Sequence, residues 1–487
     1  MQTTDSTAPA PDLAVRAAGR RAGVHPTVWT AVATVFFLVA TVLLDDVSDV
    51  ASIGLGAAAL VVVLVSAVLG RLRRRSSGAP LRRSARLTTE LLLHLSPVIL
   101  LTTVFPIASS RIAGESVGGV SLTAMLLASS LTVPWLSQAV CLPLYRGIGP
   151  LVEAGDTVAL QARFMAVWPL VLLRAVPVVA VFALPVQIVM QWPLSALAVY
   201  CALCVLHLAF AQSLVLTNVG GRRRMWAVAW TAYAVALLVA PAWWFLPPLV
   251  GLLTQLVPLW RQLGEARRPH VLDRRDVAAD LLRGLFVGAV LWADKLVFFL
   301  AADGEFAVQT VFIALLPAVL AYNVYFVALA PSFDRSVATL RAAMESGTLE
   351  TLRASSSLLR DSVASSIART GLFAALLGFG ITALTGALAP QALHLTAAVA
   401  VASWFFMMTT VTCYKIDYIG ATRPGQVIGA LHLIAVVLVF ALVPASAATY
   451  WVLAGIAAVL FAASLVLCLR HWREPEYTLF WRHATSW

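Results

Sequence analysis

Charge is scarce in this chain, and lysine is scarcer still. Only 12% of the 487 residues are charged, against 61% that are hydrophobic. That balance excludes a water-soluble core as the main structure. Lysine occurs only as Lys295 and Lys415, while the loops use arginine. The five cysteines, Cys141, Cys201, Cys204, Cys413 and Cys468, all fall within or at the ends of apolar segments. Cys201 and Cys204 form a C-x-x-C, but in an apolar span such a pair packs as small hydrophobes more readily than it binds metal. His94, His207, His394 and His432 lie on different segments with no metal-ligand spacing. A nucleotide-binding loop is also missing, so direct use of ATP would need another subunit. Neither a metal nor another cofactor is expected.

What the chain does have is apolar length. A helix needs about 20 apolar residues to cross roughly 30 Å of hydrocarbon. Candidate spans lie near 27–45, 50–71, 89–110, 118–142, 164–187, 194–217, 225–244, 246–260, 278–301, 306–330, 368–388, 391–414, 425–444 and 448–469. The pair around Pro247 and Pro248 is the weakest, because 246–260 is short and suits a kinked or partial span as well as a full one.

The charge pattern favours keeping all fourteen. The tail before Pro26 carries Arg16, Arg20 and Arg21, and the next connection carries Asp45, Asp46 and Asp49 with no base. The alternation continues with Arg71 to Arg86, Arg146 and Arg163, Arg222 to Arg224, Arg261 to Arg275, Arg335 to Arg369, Arg423, and Arg470 to Arg482, the intervening loops holding Arg111 alone. Basic residues near span ends stay cytoplasmic, so both termini are expected inside a bacterial-type cytoplasmic membrane. The net charge of +11 follows from this asymmetry and from attraction to anionic lipid headgroups, with no nucleic-acid partner implied. Residues 1–26 read as a disordered cytoplasmic tail before an uncleaved first span.

The longest extramembrane stretch, 332–367, repeats apolar residues at helical spacing: Val337, Leu340 and Met344, then Leu352, Leu359, Val363 and Ile367. One or two amphipathic helices along the inner membrane surface are expected there. Glu153, Gly155, Leu160 and Ala162 match Glu345, Gly347, Leu352 and Ala354 at the same offsets, in loops six spans apart. With 27–71 as two additional N-terminal helices and 72–88 as a basic cytoplasmic loop, the rest divides into six-helix bundles at 89–260 and 278–470, joined by a cytoplasmic linker at 261–277 and followed by a tail at 471–487. Each bundle begins inside and holds an even number of spans, so the halves are parallel repeats. Such halves around a central cleft suit alternating access. The expected fold class is therefore an all-α polytopic membrane protein with about fourteen transmembrane helices.

A charge at the bilayer centre costs about 2.5–3.5 kcal/mol on insertion scales, which singles out Arg174, Asp294, Lys295, Lys415 and Asp417. Asp294 and Lys295 are neighbours, about 100° apart around a helix, and are expected to face different surroundings. Lys295 lies roughly 9 Å from the outer end of its span, so its ammonium either faces a cavity or snorkels to the interface. Arg174 is too deep to escape and calls for an acidic or carbonyl partner, Asp294 being one candidate. Lys415 and Asp417 sit where the twelfth span meets cytoplasm, where snorkelling is the simpler reading.

At these residues a family resemblance emerges. The segment L-W-A-D-K-L-V-F-F, Leu291 to Phe299, followed by a helical pair and an amphipathic segment around Met344 to Leu352, resembles the Pel exopolysaccharide exporter (PelG-like) family of the MOP flippase superfamily, where an aromatic-flanked Asp-Lys occupies the equivalent span. Ser96 and Pro97, Pro134 to Arg146, and Tyr414 to Asp417 add to the likeness, which covers roughly 89–470; the first two spans depart from the family's twelve-helix pattern. The resemblance implies export of an exopolysaccharide or lipid-linked glycan, beside a cytoplasmic glycosyltransferase and accessory membrane proteins. It makes Asp294, Lys295, Arg174, Trp292 and Tyr325 candidates for the substrate cleft, with Phe298 and Trp404 as further rings. Glu153, Glu345, Lys415 and Asp417 become candidates for cytoplasmic coupling. Two other classes stay open. A drug or lipid antiporter would want buried carboxylates, of which the first half offers only Glu90. A membrane-embedded glycosyltransferase could use Asp45 and Asp46, but its outer loops are only a few residues long.

Overall fold

The computed structural model describes residues 104, 108–304 and 307–484. The expected spans 27–45 and 50–71, most of 89–110, and the residues Asp45, Asp46, Glu90, His94, Ser96 and Pro97 lie outside the described residues.

Helical residues 108–112 are followed by an antiparallel hairpin of two-residue strands, β1 (Ser116–Val117) and β2 (Val120–Ser121), paired Ser116 to Ser121 and Val117 to Val120. Its turn is Gly118-Gly119, at φ +61° and +81°, a left-handed conformation that glycine adopts without a Cβ clash. The Ser121 side chain then accepts a hydrogen bond from the Ala124 amide and starts α1 (Leu122–Val140). The expected span 118–142 thus begins four residues later than its apolar run suggested. It continues, after a 45° bend at Cys141, into α2 (Leu142–Ala154).

Asp156 caps α3 (Thr157–Met190), whose Pro169, Pro177 and Pro185 are accommodated within one 34-residue helix; α4 (Leu194–Val219) follows. Two short helices come next, α5 (Arg223–Val239) and α6 (Leu246–Leu256), and α6 tightens into a 3₁₀ stretch at Val257–Arg267. At 1.5 Å per residue, α5 is about 25 Å long and α6 about 16 Å. Neither α5 nor α6 is long enough by itself to count among the spanning helices; Pro247 and Pro248 sit in the first turn of α6, where proline starts a helix without breaking it.

The second half is built from longer rods. Asp273 caps α7 (Arg274–Ala301). Next come α8 (Val308–Val324), a π turn at Tyr325–Leu329 and α9 (Ala330–Ser346), which run as one apolar helix from Thr310 to Ser346. The Thr348 side chain caps α10 (Leu349–Leu388), 40 residues long. A short 3₁₀ turn, Pro390–Ala392, leads into α11 (Leu393–Tyr418), α12 (Thr422–Leu442), α13 (Ala447–His471) and α14 (Pro475–Ala484). Among the described residues eight helices are long and apolar enough to cross a membrane, and α1 with α2 makes a ninth if the bent pair is one span.

The segment 332–367 does not form separate surface helices. It is the end of α9 and the start of α10, both continuous with spans. Val337, Leu340, Leu359, Val363 and Ile367 are all buried in the central core. The two apolar stripes cover each other, which removes the surface that would have lain on a membrane.

The central core runs across both halves, joining residues of α1, α3 and α4 to residues of α7 through α13, while a second cluster fills the first half alone. The bridge between halves is α7, packed on α1 on one side and on α12 on the other. Glycines permit both approaches. A Cβ on Gly284 would sit 2.3 Å from the Gln138 carbonyl oxygen and 2.4 Å from Ala139 Cα, and one on Gly429 would sit 2.1 Å from the Phe286 carbonyl oxygen. Trp135 on α1 further donates its indole N–H to the Leu285 carbonyl at 2.7 Å. At α1 and α7 the halves share a packed core instead of flanking a cleft.

Candidate functional site

The Asp-Lys neighbours do meet. Lys295 donates from Nζ to Asp294 Oδ1 at 2.9 Å and to the Leu291 carbonyl oxygen at 3.0 Å. Helical side chains lean toward the N-terminus, so a long lysine on α7 folds back over its own preceding turn and reaches both. The expectation that the two face different surroundings considered only the angle between Cβ vectors. Both side chains are fully buried, so Lys295 neither snorkels nor lines an open cavity in this conformation. Its ammonium lies 5.2 Å from the centre of the Phe406 ring on α11, and Phe406 packs edge-on against His432 of α12. The Tyr450 hydroxyl on α13 interacts electrostatically with Asp294. Neither Asp294 Oδ2 nor that hydroxyl closes a hydrogen bond of good geometry among the described residues.

The second lysine is enclosed as well. Lys415 on α11 is fully buried, its Nζ lying 4.1 Å from the centre of the Phe333 ring and 5.2 Å from that of Tyr325. Snorkelling is overturned here because α9, the π turn and α13 wrap the end of α11. Phe333 packs on Tyr418 and Trp472, and Trp472 donates to the Lys415 carbonyl at 3.2 Å. Tyr325, expected in a substrate cleft, is a wall of this cage. Asp417 pairs instead with Arg283 of α7.

The remaining candidates are dispersed. Arg174 is half-buried on α3, beside the exposed Leu173, and among the described residues it makes no ion pair with Asp294. Trp292 is half-buried on α7. Phe298 packs with Phe440 and Tyr450, and Trp404 donates to the Gly371 carbonyl at 2.8 Å between α10 and α11. Glu153 closes α2 and Glu345 lies exposed near the end of α9, so the two repeat positions end separate helices. Among the described residues no three His, Cys, Asp or Glu side chains converge closely enough to hold a metal ion.

Among the described residues a cavity opens in the first half, away from these side chains. A cavity of about 400 Å³ is bounded by α1, α2, α4 and α5, within the range of roughly 300–1,000 Å³ typical of small-molecule sites. Trp226, Trp230, Phe210 and Tyr145 contribute rings, and Ser137, Gln138, Asn218 and His207 contribute polar groups. Among the described residues its lining has no Asp, Glu, Lys or Arg. Several of these groups are fixed. Asn218 donates to the Tyr145 hydroxyl at 3.0 Å, and His207 bridges the Leu203 carbonyl at 2.8 Å and the Tyr233 hydroxyl at 2.9 Å. A carbonyl only accepts, so Nδ1 carries the proton and Nε2 accepts from Tyr233.

α2, which carries Tyr145, packs on α7, so this wall of the cavity adjoins the second half. Beside it, Arg146 forms a two-pronged pair with Asp280 of α7, at 2.6 and 2.8 Å, and lies 3.6 Å from Asp276. Sequence reasoning missed Asn218, Trp226 and Trp230, because its search followed charges inside spans and these residues are uncharged and near span ends. The stretch Pro134 to Arg146, singled out by resemblance, does line the cavity.

Eight described helices long and apolar enough to cross a membrane, packed in a shared core, define a multi-pass, helical membrane protein. No protein-family model matches the chain, and no curated protein matches it. A solved structure described as the inward-facing conformation of a multidrug resistance MATE family transporter of the MOP superfamily aligns with it at 14% identity and a TM-score of 0.40, covering 80% of this chain and 95% of that one.

Proposed function

We propose that this chain is a transporter of the cytoplasmic membrane that exports an exopolysaccharide or a lipid-linked glycan by alternating access. The observation that carries this reading is the cavity between α1, α2, α4 and α5. Sugars present C–H faces that stack on aromatic rings and hydroxyls that bond to amide, hydroxyl and imidazole groups, and the lining offers both with no charged side chain among the described residues. A cation-exporting site would want a carboxylate there. The Arg146–Asp280 pair, beside the cavity and between the halves, would close one access route when formed. The Asp294–Lys295 pair would act at a distance, holding α7 in register. With the arginine-bearing loops on the cytoplasmic side, a glycosyltransferase would deliver the glycan from there.

The test is deletion in the native host, with secreted and cell-retained polysaccharide measured after complementation by wild type, Trp230→Ala and Asn218→Ala. The reading expects secretion to collapse on deletion, return with wild type, and return poorly with either variant at equal membrane abundance. Unchanged secretion in the deletion strain sinks it; a parallel rise in drug susceptibility would then move drug export ahead.

A further inference from the structure

The last helix, α14, has two unlike faces. Pro475 and Leu479, one helical turn apart, are buried, and Glu476 hydrogen-bonds with Ser356 of α10. On the opposite face Tyr477, Phe480 and Trp481 fall at i, i+3 and i+4. These three rings are 61%, 55% and 49% exposed, and they contact one another in sequence, Tyr477 with Trp481 and Phe480 with Trp481. Tyr477 and Phe480 leave two large rings more than half exposed on one face of a ten-residue helix, an apolar patch of the kind that marks a contact surface.

Its depth is fixed by the chain. α13 ends at His471 and α14 starts at Pro475, a connection that reaches at most about 14 Å. That distance is not used to move away. Trp472 is locked against the end of α11 through the Lys415 carbonyl, and Thr478 donates its hydroxyl to the His471 carbonyl at 2.9 Å. The second turn of α14 is therefore held at the level of the last turn of a spanning helix. Val466 and Leu469, in that helix's final turns, are exposed apolar residues, so the lipid-facing surface continues up to this level. Arg470 and Arg473, both exposed, flank the turn and complement anionic headgroups.

We propose that α14 is a membrane-interface anchor, with Tyr477, Phe480 and Trp481 seated among the headgroups of the leaflet at the arginine-bearing end. Amphipathic rings favour that zone, where the ring is desolvated and the polar edge stays wet. Seated there, the helix ties the ends of α13 and α11 and the α9–α10 hairpin to the membrane surface. This assignment is independent of what the protein carries.

The full-length protein, reconstituted in nanodiscs of phosphatidylcholine and phosphatidylglycerol, is labelled with bimane at Phe480→Cys and, separately, at Tyr477→Cys. Glu345→Cys, exposed near the end of α9, is the reference, and labelling of the unsubstituted protein sets the background from native cysteines. Anchoring predicts that both α14 labels lose emission to lipids brominated near the headgroup and are shielded from aqueous iodide, while the label at 345 behaves oppositely. Labels at 477 and 480 that iodide quenches as fully as the one at 345, with no response to brominated lipid, would overturn the proposal and make the face a surface for a protein partner.

Discussion

Arg146 and Asp280 hold the two halves of the chain together through two parallel charge-assisted hydrogen bonds, with the carboxylate 4% exposed and the guanidinium 45% exposed. The geometry is that of the fork-to-fork pair in which arginine is strongest. It brings α2, just past the bend at Cys141, onto the first turns of α7.

Removing one partner should cost more than removing both. Arg146→Ala strands a nearly buried carboxylate, with an expected loss of about 1–3 kcal/mol. The exchange Arg146→Asp with Asp280→Arg should recover part of it. Asp276, in a pair with both side chains about half exposed, should be worth roughly 0–1 kcal/mol. Thermal unfolding of the purified protein in nanodiscs reads all three.

Among the α7 glycines, Gly284→Ala should be more damaging than Gly288→Ala. Its Cβ would meet backbone atoms of α1 that cannot rotate away, so α7 must move, at about 1–3 kcal/mol or more. Gly288→Ala meets side-chain atoms at 3.0–3.2 Å and should be milder, and Gly378→Ala, with nothing within 4 Å, should leave the melting temperature unchanged. The order of the three melting temperatures is the check.

Lys295→Met should destabilise strongly, by about 3–5 kcal/mol, since it leaves the fully buried Asp294 carboxyl without its cation. The double variant Asp294→Asn, Lys295→Met should recover most of that loss. Equal damage from single and double variants would show that the pair matters through packing alone.

Lys415→Met should behave differently. Lys415 Nζ has no hydrogen-bond partner among the described residues and is held by rings and by electrostatic attraction to Asp334. A methionine keeps the volume and packs its sulfur against Phe333 and Tyr325. No loss of melting temperature is expected, and retained stability with reduced secretion would separate a transport role from a structural one.

Much of the architecture was legible from residues alone. Apolar length placed the starts and ends of most described spans within a few residues. A closer reading would have found α10 as well. No glycine or proline occurs between Leu349 and Arg369, so nothing ends the helix where the apolar span begins. The candidate site was legible only in part, because the search followed charge. Charges stood out along the chain, but the cavity is built of Trp226, Trp230, Asn218 and Tyr145, each unremarkable in its own segment.

The sequence by itself determined that this is a membrane protein of long helices, because transfer of apolar side chains into hydrocarbon is additive along a segment and needs no distant partner. Only the tertiary structure decided that Lys295 bonds its own neighbour, that rings from α9 and the π turn enclose Lys415, and that a cavity opens in the first half. Those outcomes depend on which helices approach closely and where a flexible side chain then finds its hydrogen bonds. Both are set by contacts between residues far apart in the chain.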